Sequence, residues 1–541
     1  MLAPPKSLKD RISQLIFPRL GSNMSPTISV EEDAARIESL MDAYPIGGLC
    51  LFNGDRIRTP QTLTRLQSRS TYPLLIGTDM ERGLGQQLKG ATVFPHGMAF
   101  QATGKEDEKL LEKSARIAAR EALAAGLHMS FSPVADVNSN PRNPIISTRA
   151  YGSTLHTVSR LLKAYIRGAS SEGLFTTAKH FPGHGDTDVD SHEALPVVTR
   201  SRLELEELEL IPFREAVSAG VSLMMTAHVS YPGLDPTGAE ATRSKPILTN
   251  LLRQDIGFKG VVISDSLLMA GADHEGEHPG EMAATLLRAG VDILLDIKDV
   301  PTTVDYLVEL VNSGELDVKI IDAALQRVWS LKTRFAARFG PGAFIDPSLA
   351  QPYSVIGCDE HRAFAMEVAE KSIQVALGES DQLVLYKAGM GQYGTACVLV
   401  RPHTTYNDPT AAPLEKAFME AFPDGGFFQI LPDTRDDQLE DLLEKLEGFA
   451  NIIVAVVVKP AAWHKFGLLP SQAAFVHEVS ARFNIFLVAL GSPIVLADFD
   501  RVKVGICAYS DVEPTMLALV KYLKSLESET QAAFGTLPGR V

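Results

Sequence analysis

Eight short apolar runs punctuate roughly the first 340 residues, and they constrain the fold more than any other feature of the chain. They are Gln14–Phe17, Gly48–Phe52, Leu74–Thr78, Met129–Val134, Thr176–Lys179, Leu223–Ala227, Val261–Ser264 and Asp292–Leu295. Each is too short for an ordinary helix and apolar enough for a strand buried on both faces of a parallel sheet. Amphipathic stretches such as Asp33–Ala43, Glu108–Ala125 and Ser201–Ala219 lie between them. Eight such β-α units predict a (β/α)8 TIM-type barrel over residues 1–340. A doubly wound open sheet shows the same alternation, and alternation alone does not prove closure.

Beyond the barrel segment, Gly340-Pro341-Gly342, with Pro347 and Pro352 after it, sustains no period. Residues 341–364 therefore read as a linker. A second alternation follows over residues 365–541. Its strand-like runs are Val375–Leu377, Cys397–Val400, Phe427–Leu431, Ile452–Val458, Ile485–Leu490 and Val504–Cys507, with helical patterns at Ala411–Ala421 and Gln438–Leu446. A smaller three-layer α/β domain is the simplest expectation. The full length of 541 residues suits two domains better than one core.

Composition removes several function classes. The net charge of −15 argues against a broad nucleic-acid footprint, which needs basic patches. Cys50, Cys358, Cys397 and Cys507 are far apart, so structural zinc and a disulfide framework are not expected. No apolar run reaches the roughly 18 residues of a membrane-spanning helix, and the start of the chain lacks a signal-peptide pattern. A cytoplasmic location is the expectation, and nothing in the pattern sets an oligomeric state.

Polar residues gather just after several strands: Asp79, Asp136, His180, His228 and Asp265. In a barrel, the active site is built at this C-terminal face. The densest segment is Lys179-His180-Phe181-Pro182-Gly183-His184-Gly185-Asp186-Thr187-Asp188-Val189-Asp190-Ser191-His192, a loop holding three His and three Asp. One reading is a metal site, since His and Asp are abundant. Pro182-Gly183, however, prevents His180 and His184 from sharing a helix face. The other reading is acid/base chemistry, with an Asp orienting a His two residues on and raising its proton affinity.

The second segment is Gly257–Met269, in which a β-branched strand ends at Asp265. A carboxylate there must be paired or hydrogen-bonded. It serves either as a helix N-cap or as a nucleophile toward a sugar carbon. Asp79, in Gly77-Thr78-Asp79-Met80-Glu81-Arg82-Gly83, and Arg149 are weaker signals alone. With Lys179 and His180 they would form a hydrogen-bonding rim for hydroxyls and an amide.

These segments together resemble glycoside hydrolase family 3, in particular its bacterial β-N-acetylglucosaminidase branch. Lys179–His192 is similar to that branch's Lys-His-Phe-Pro-Gly-His-Gly loop followed by Asp-Ser-His. Gly257–Met269 resembles its nucleophile segment. Phe131–Asn138 running on to Arg149, and Thr226-Ala227-His228-Val229 with Tyr231-Pro232, are similar as well. The resemblance covers about residues 10–340. It implies a barrel with Asp265 as nucleophile, His192 as general acid/base and Asp190 as its partner. Sugar contacts would come from Asp79, Arg149, Lys179 and His180. No metal or organic cofactor is implied, and the partner is a small carbohydrate substrate.

The chain departs from the family pattern after Asp79. A sugar-contacting Arg expected near the end of that turn is replaced by Gln87, with Arg82 as an alternative cation. The expected activity is double displacement at terminal β-linked N-acetylglucosamine. An imidazole acid/base adds no negative charge, so phosphate is repelled less than by a carboxylate, and phosphorolysis is the alternative. A non-catalytic sugar-binding protein is a more remote one.

Overall fold

The computed structural model describes residues 2–187, 195–272, 276–379, 382–385, 393–404, 411–461 and 464–527. The chain divides into two compact units. The first comprises Met1–Thr92, Glu108–Ile146 and Ala150–Arg362; the second comprises Val93–Asp107, Ser147–Arg149 and Ala363–Val541.

The first unit is built on eight parallel strands. They are β1 (Ile16–Phe17, continued past Pro18 as Arg19–Leu20), β2 (Gly48–Leu51), β3 (Leu75–Thr78), β4 (Met129–Ser130), β5 (Phe175–Phe181), β6 (Leu223–Thr226), β7 (Val261–Ile263) and β8 (Leu294–Leu295). Each pairs with the next, from Arg19 on Cys50 round to Val261 on Leu223. A parallel bridge from Ile263 to Ile293 then joins β7 to β8, and Ile16 pairs with Leu294. The ring is thereby closed, which decides between the barrel and the open sheet. All eight strands overlap the apolar runs of the sequence, with β1 continuing past its run to Leu20 and β5 past its run to Phe181.

Local chemistry explains the elements around the ring. Helix α1 (Val30–Ala43) starts at a capping box, in which Ser29 accepts from the Glu32 N–H and Glu32 accepts from the Ser29 N–H. Helix α2 (Leu155–Glu172) starts at Thr154 and stops at Gly173, whose left-handed backbone ends the helix cheaply. Helix α3 (Val318–Phe339) lays Ile321, Leu325, Val328 and Phe335 into the core. Inside the barrel, a Cβ on Gly48 would stand 2.0 Å from the Leu75 carbonyl oxygen and 2.2 Å from the Phe17 ring. Only glycine lets these strands approach there.

The stretch after α3 forms short 3-10 turns and is tied to the first unit. The Gly357 N–H and the His361 Nδ1 both meet Glu121 Oε1, at 3.0 and 2.7 Å.

The second unit holds a six-stranded sheet: β9 (Gln374–Leu377), β10 (Tyr393–Val400), β11 (Gly426–Ile430), β12 (Phe449–Val456), β13 (Ile485–Ala489) and β14 (Val504–Cys507). Their spatial order is β9-β14-β13-β12-β10-β11. Only β9 runs antiparallel to its neighbour. Alternate residues serve opposite faces, as the period of a strand demands. Ala396, Val398, Val400, Ile452, Val454 and Val456 pack on one side, whereas Cys397, Leu399, Ile453 and Ala455 pack on the other. Helices cover both faces, giving the three layers expected. Met98, Ala99 and Ala102, from far upstream in the chain, complete the first of these cores.

No helix among the described residues is long and apolar enough to cross a membrane.

Candidate active site

The strand ends of the first unit bring distant polar residues to the C-terminal mouth of the barrel. Asp79 follows β3 directly, Asp136 lies beyond β4, Lys179 and His180 sit late in β5, His228 follows β6, and Asp265 follows β7. Lys179 is almost wholly buried, so its ammonium requires anionic partners. Nζ lies 2.6 Å from Asp79 Oδ1 and 2.7 Å from Glu81 Oε1.

His180 is fixed by Asp136. Its Nδ1 lies 2.6 Å from Asp136 Oδ2, and its backbone N–H donates to the same carboxylate. The His184 N–H donates to Asp136 Oδ1 at 2.7 Å. A buried carboxylate that accepts from two backbone amides and a ring nitrogen sets the imidazole orientation. The following loop is equally built. His184 Nδ1 meets Thr187 Oγ1 at 2.8 Å, and the Asn143 Nδ2 amide donates to the His184 carbonyl at 2.9 Å. A Cβ on Gly185 would stand 1.7 Å from the Val137 carbonyl oxygen, so this turn needs glycine. At the base of the loop, Arg200 Nε donates to Asp186 at 2.6 Å. Burial pushes the neighbouring Glu209 carboxyl up to about 7, with Arg200 pulling the other way.

Asp265 is half-buried, and its Oδ1 accepts the Ser266 N–H at 2.8 Å. Burial alone would raise its pKa. The charges of His180, His228 and Lys179, with the Ser266 N–H, outweigh burial and hold it below the ordinary 3.8. Asp265 is therefore anionic at neutral pH, as a nucleophile must be. His228 is buried, and its Nδ1 meets Thr242 Oγ1 at 3.0 Å. Burial lowers its pKa from 6.5, against the pull of Asp265 and Glu240. Its Nε2 has no hydrogen-bond partner among the described residues. The Cys50 thiol is pushed up by burial and by Asp296, Asp79 and Asp265.

Of the residues singled out in the sequence, Asp79, Lys179, His180 and Asp265 come together here. Arg149 ends a 3-10 turn, Ser147–Arg149, that groups with the second unit. Asp190 and His192 lie outside the described residues. The departure at Gln87 is absorbed into the scaffold, where Asn23 Nδ2 donates to Gln87 Oε1 at 2.9 Å. Sequence reasoning missed three contributors. The sequence marks Glu81 only as part of the turn, and Asp136 and His228 only as polar residues at strand ends. For Asp136 the available signal was its place beyond β4, but its pairing with His180 is visible only through space.

A closed parallel barrel with carboxylates gathered at its C-terminal mouth has the layout of a barrel enzyme. The particular family follows from comparison: the chain belongs to glycosyl hydrolase family 3, whose N-terminal domain matches residues 7–331. It is 32% identical over 368 residues to beta-hexosaminidase A of Pseudoalteromonas piscicida, a match spanning 62% of this chain and 60% of that one. It is 28% identical over 531 residues to the beta-N-acetylglucosaminidase/beta-glucosidase of Cellulomonas fimi, covering 91% and 89%. Among solved structures, a family 3 beta-N-acetylglucosaminidase from Paenibacillus sp. superposes with a TM-score of 0.83. That match has 28% identity and covers 97% of this chain and 98% of that one.

Proposed function

We propose that the protein is a retaining exo-β-N-acetylglucosaminidase that hydrolyses terminal β-linked N-acetylglucosamine by double displacement. The observation that carries this reading is the place of Asp265 just after β7, at the barrel mouth where Asp79, Lys179, His180 and His228 also stand at strand ends. The names of the relatives supply the sugar class, and the chain's likeness to them extends through both units.

In the first step Asp265 attacks the anomeric carbon. The bond to the leaving oxygen breaks, and His192 gives that oxygen its proton. In the second step His192 takes a proton from water, and the resulting hydroxide displaces Asp265 from the anomeric carbon. Asp190 orients the imidazole and stabilises its cation. Retention follows from two inversions at one carbon. Asp79, Lys179, His180 and Arg149 hold the sugar. Lys179 also offsets part of the negative charge of Asp79 and Glu81, which would otherwise repel the charge on Asp265 more strongly. The proposed substrates are muropeptides or oligosaccharides derived from cell wall, met in the cytoplasm.

The test is turnover of p-nitrophenyl N-acetyl-β-glucosaminide and of its β-glucoside counterpart, each with and without phosphate. Phosphate-independent release from the N-acetyl substrate, with the β-anomer as first product by NMR, is expected. Asp265→Ala is expected to lower kcat by about three orders of magnitude or more. Undiminished turnover by that variant would refute the nucleophile assignment. A sugar phosphate as product would turn the reading to phosphorolysis.

A further inference from the structure

The Asp265 carboxylate is tied to the next two strand ends round the barrel. We propose that Ser266, Asp296 and Arg19 form a relay of positioning residues that fixes Asp265 for attack. This inference rests on the reading of Asp265 as nucleophile.

The relay is continuous in hydrogen bonds. The Ser266 N–H donates to Asp265 Oδ1 at 2.8 Å, and the Ser266 hydroxyl donates to Asp296 Oδ2 at 2.6 Å. Arg19 Nε donates to both oxygens of Asp296 at 3.1 Å, and its Nη2 donates to Oδ2. Ser266 follows β7, Asp296 follows β8 and Arg19 lies on β1, so three consecutive strand ends are laced together. The backbone reinforces the lacing. The Leu267 N–H donates to the Leu295 carbonyl, and the Asp296 N–H donates to the Phe17 carbonyl.

Three features exceed what a structural clamp needs. The Asp296 side chain is only 2% exposed, although it stands at the open end of the barrel. It adopts φ +59, a left-handed backbone uncommon outside glycine. Its free lone pairs are spent on the hydroxyl of the one residue whose amide holds the nucleophile. Arg19 then cancels the Asp296 charge, which would otherwise disfavour an anionic Asp265 close by. The relay thus orients without repelling.

Other groups also face Asp265. Lys179 and His180 on β5, and His228 after β6, all favour its charge, while Asp79 and Glu81 after β3 are engaged by Lys179. Loosening Ser266 weakens one of the contacts that lower the Asp265 pKa, so its titration moves upward.

The experiment compares Ser266→Ala, Ser266→Thr, Asp296→Asn and Asp265→Ala in the full chain with p-nitrophenyl N-acetyl-β-glucosaminide. Ser266→Ala and Asp296→Asn are expected to lose about tenfold or more in kcat with KM within about twofold, as misplacement of a reacting group does. The acid limb of the kcat/KM profile is expected to shift to higher pH in Ser266→Ala, whose amide is no longer anchored to Asp296, and to lower pH in Asp296→Asn, which leaves the Arg19 charge uncancelled. Ser266→Thr, which keeps the hydroxyl, is expected to retain most of the rate. Unchanged kcat and an unmoved acid limb in both variants, with Asp265→Ala inactive, would overturn the relay alone. A rate loss with an unmoved limb and a matching fall in Tm would assign the three residues to barrel closure and overturn it as well. Turnover by Asp265→Ala would remove the nucleophile reading, and the relay with it.

Discussion

At the scale of single residues, the mouth of the barrel is organised by carboxylates that serve other side chains. Asp136 is the clearest case, since one buried carboxylate accepts from the His180 imidazole and from the amides of His180 and His184. Asp136→Asn puts an amide NH2 where acceptors are required, so at least one N–H loses its partner. The expected cost is about 3 kcal/mol of unfolding free energy, read by urea denaturation, with a fall in kcat because His180 loses its fixed orientation. An unaltered midpoint and rate would show that His180 is held by other means. The residues themselves were legible in the sequence, because Asp79, His180 and Asp265 all follow apolar runs. Their pairings were not. Lys179 and Asp79 are 100 positions apart, and no local period connects them. The buried charge on Lys179 obliges some carboxylates to be near, but only the closed ring determines which.

At the scale of elements, the apolar runs predicted all eight barrel strands, because strands buried on both faces have little choice of composition. What the runs could not show was the seam. The β1–β8 ladder has only two residue pairs, and β7 reaches β8 through a single bridge. Closure there is a property of tertiary geometry. The Arg149 turn shows the same limit, since Ser147–Arg149 lies between barrel segments in sequence but groups with the second unit.

Helix α3 carries a residue with a consequence for pH. Lys332 is fully buried with Nζ on Gln14 Oε1 at 2.5 Å, and burial pulls its pKa well below 10.5. The unfolded chain therefore holds this proton at pH values where the folded chain has released it. The contribution to stability rises with pH between the lowered folded value and the ordinary one of about 10.4. Lys332→Met removes that slope. Thermal melts from pH 7 to pH 9.5 are expected to show the wild-type Tm gaining on the variant as pH rises. A constant difference would mean that Lys332 stays protonated inside the fold.

At the scale of the whole molecule, the two compact units are not two consecutive lengths of chain. Met98, Ala99 and Ala102 are buried in the core beneath the second unit's sheet although the chain reaches them early. A fragment ending at Arg362 keeps these side chains without the sheet they pack with. Such a fragment is expected to bind a hydrophobic dye and to aggregate at concentrations where the full chain stays dispersed, as newly exposed apolar patches do. A monodisperse, dye-negative fragment would show that residues 93–107 repack unaided.

The same interleaving has a consequence during synthesis. Residues 93–107 leave the ribosome long before β10 to β14 exist, and at about 5–20 residues per second the gap is on the order of tens of seconds. Through that interval the nascent chain carries Met98 and Ala99 with their partners not yet translated. The second sheet is thus completed by a segment translated well before the strands it packs against.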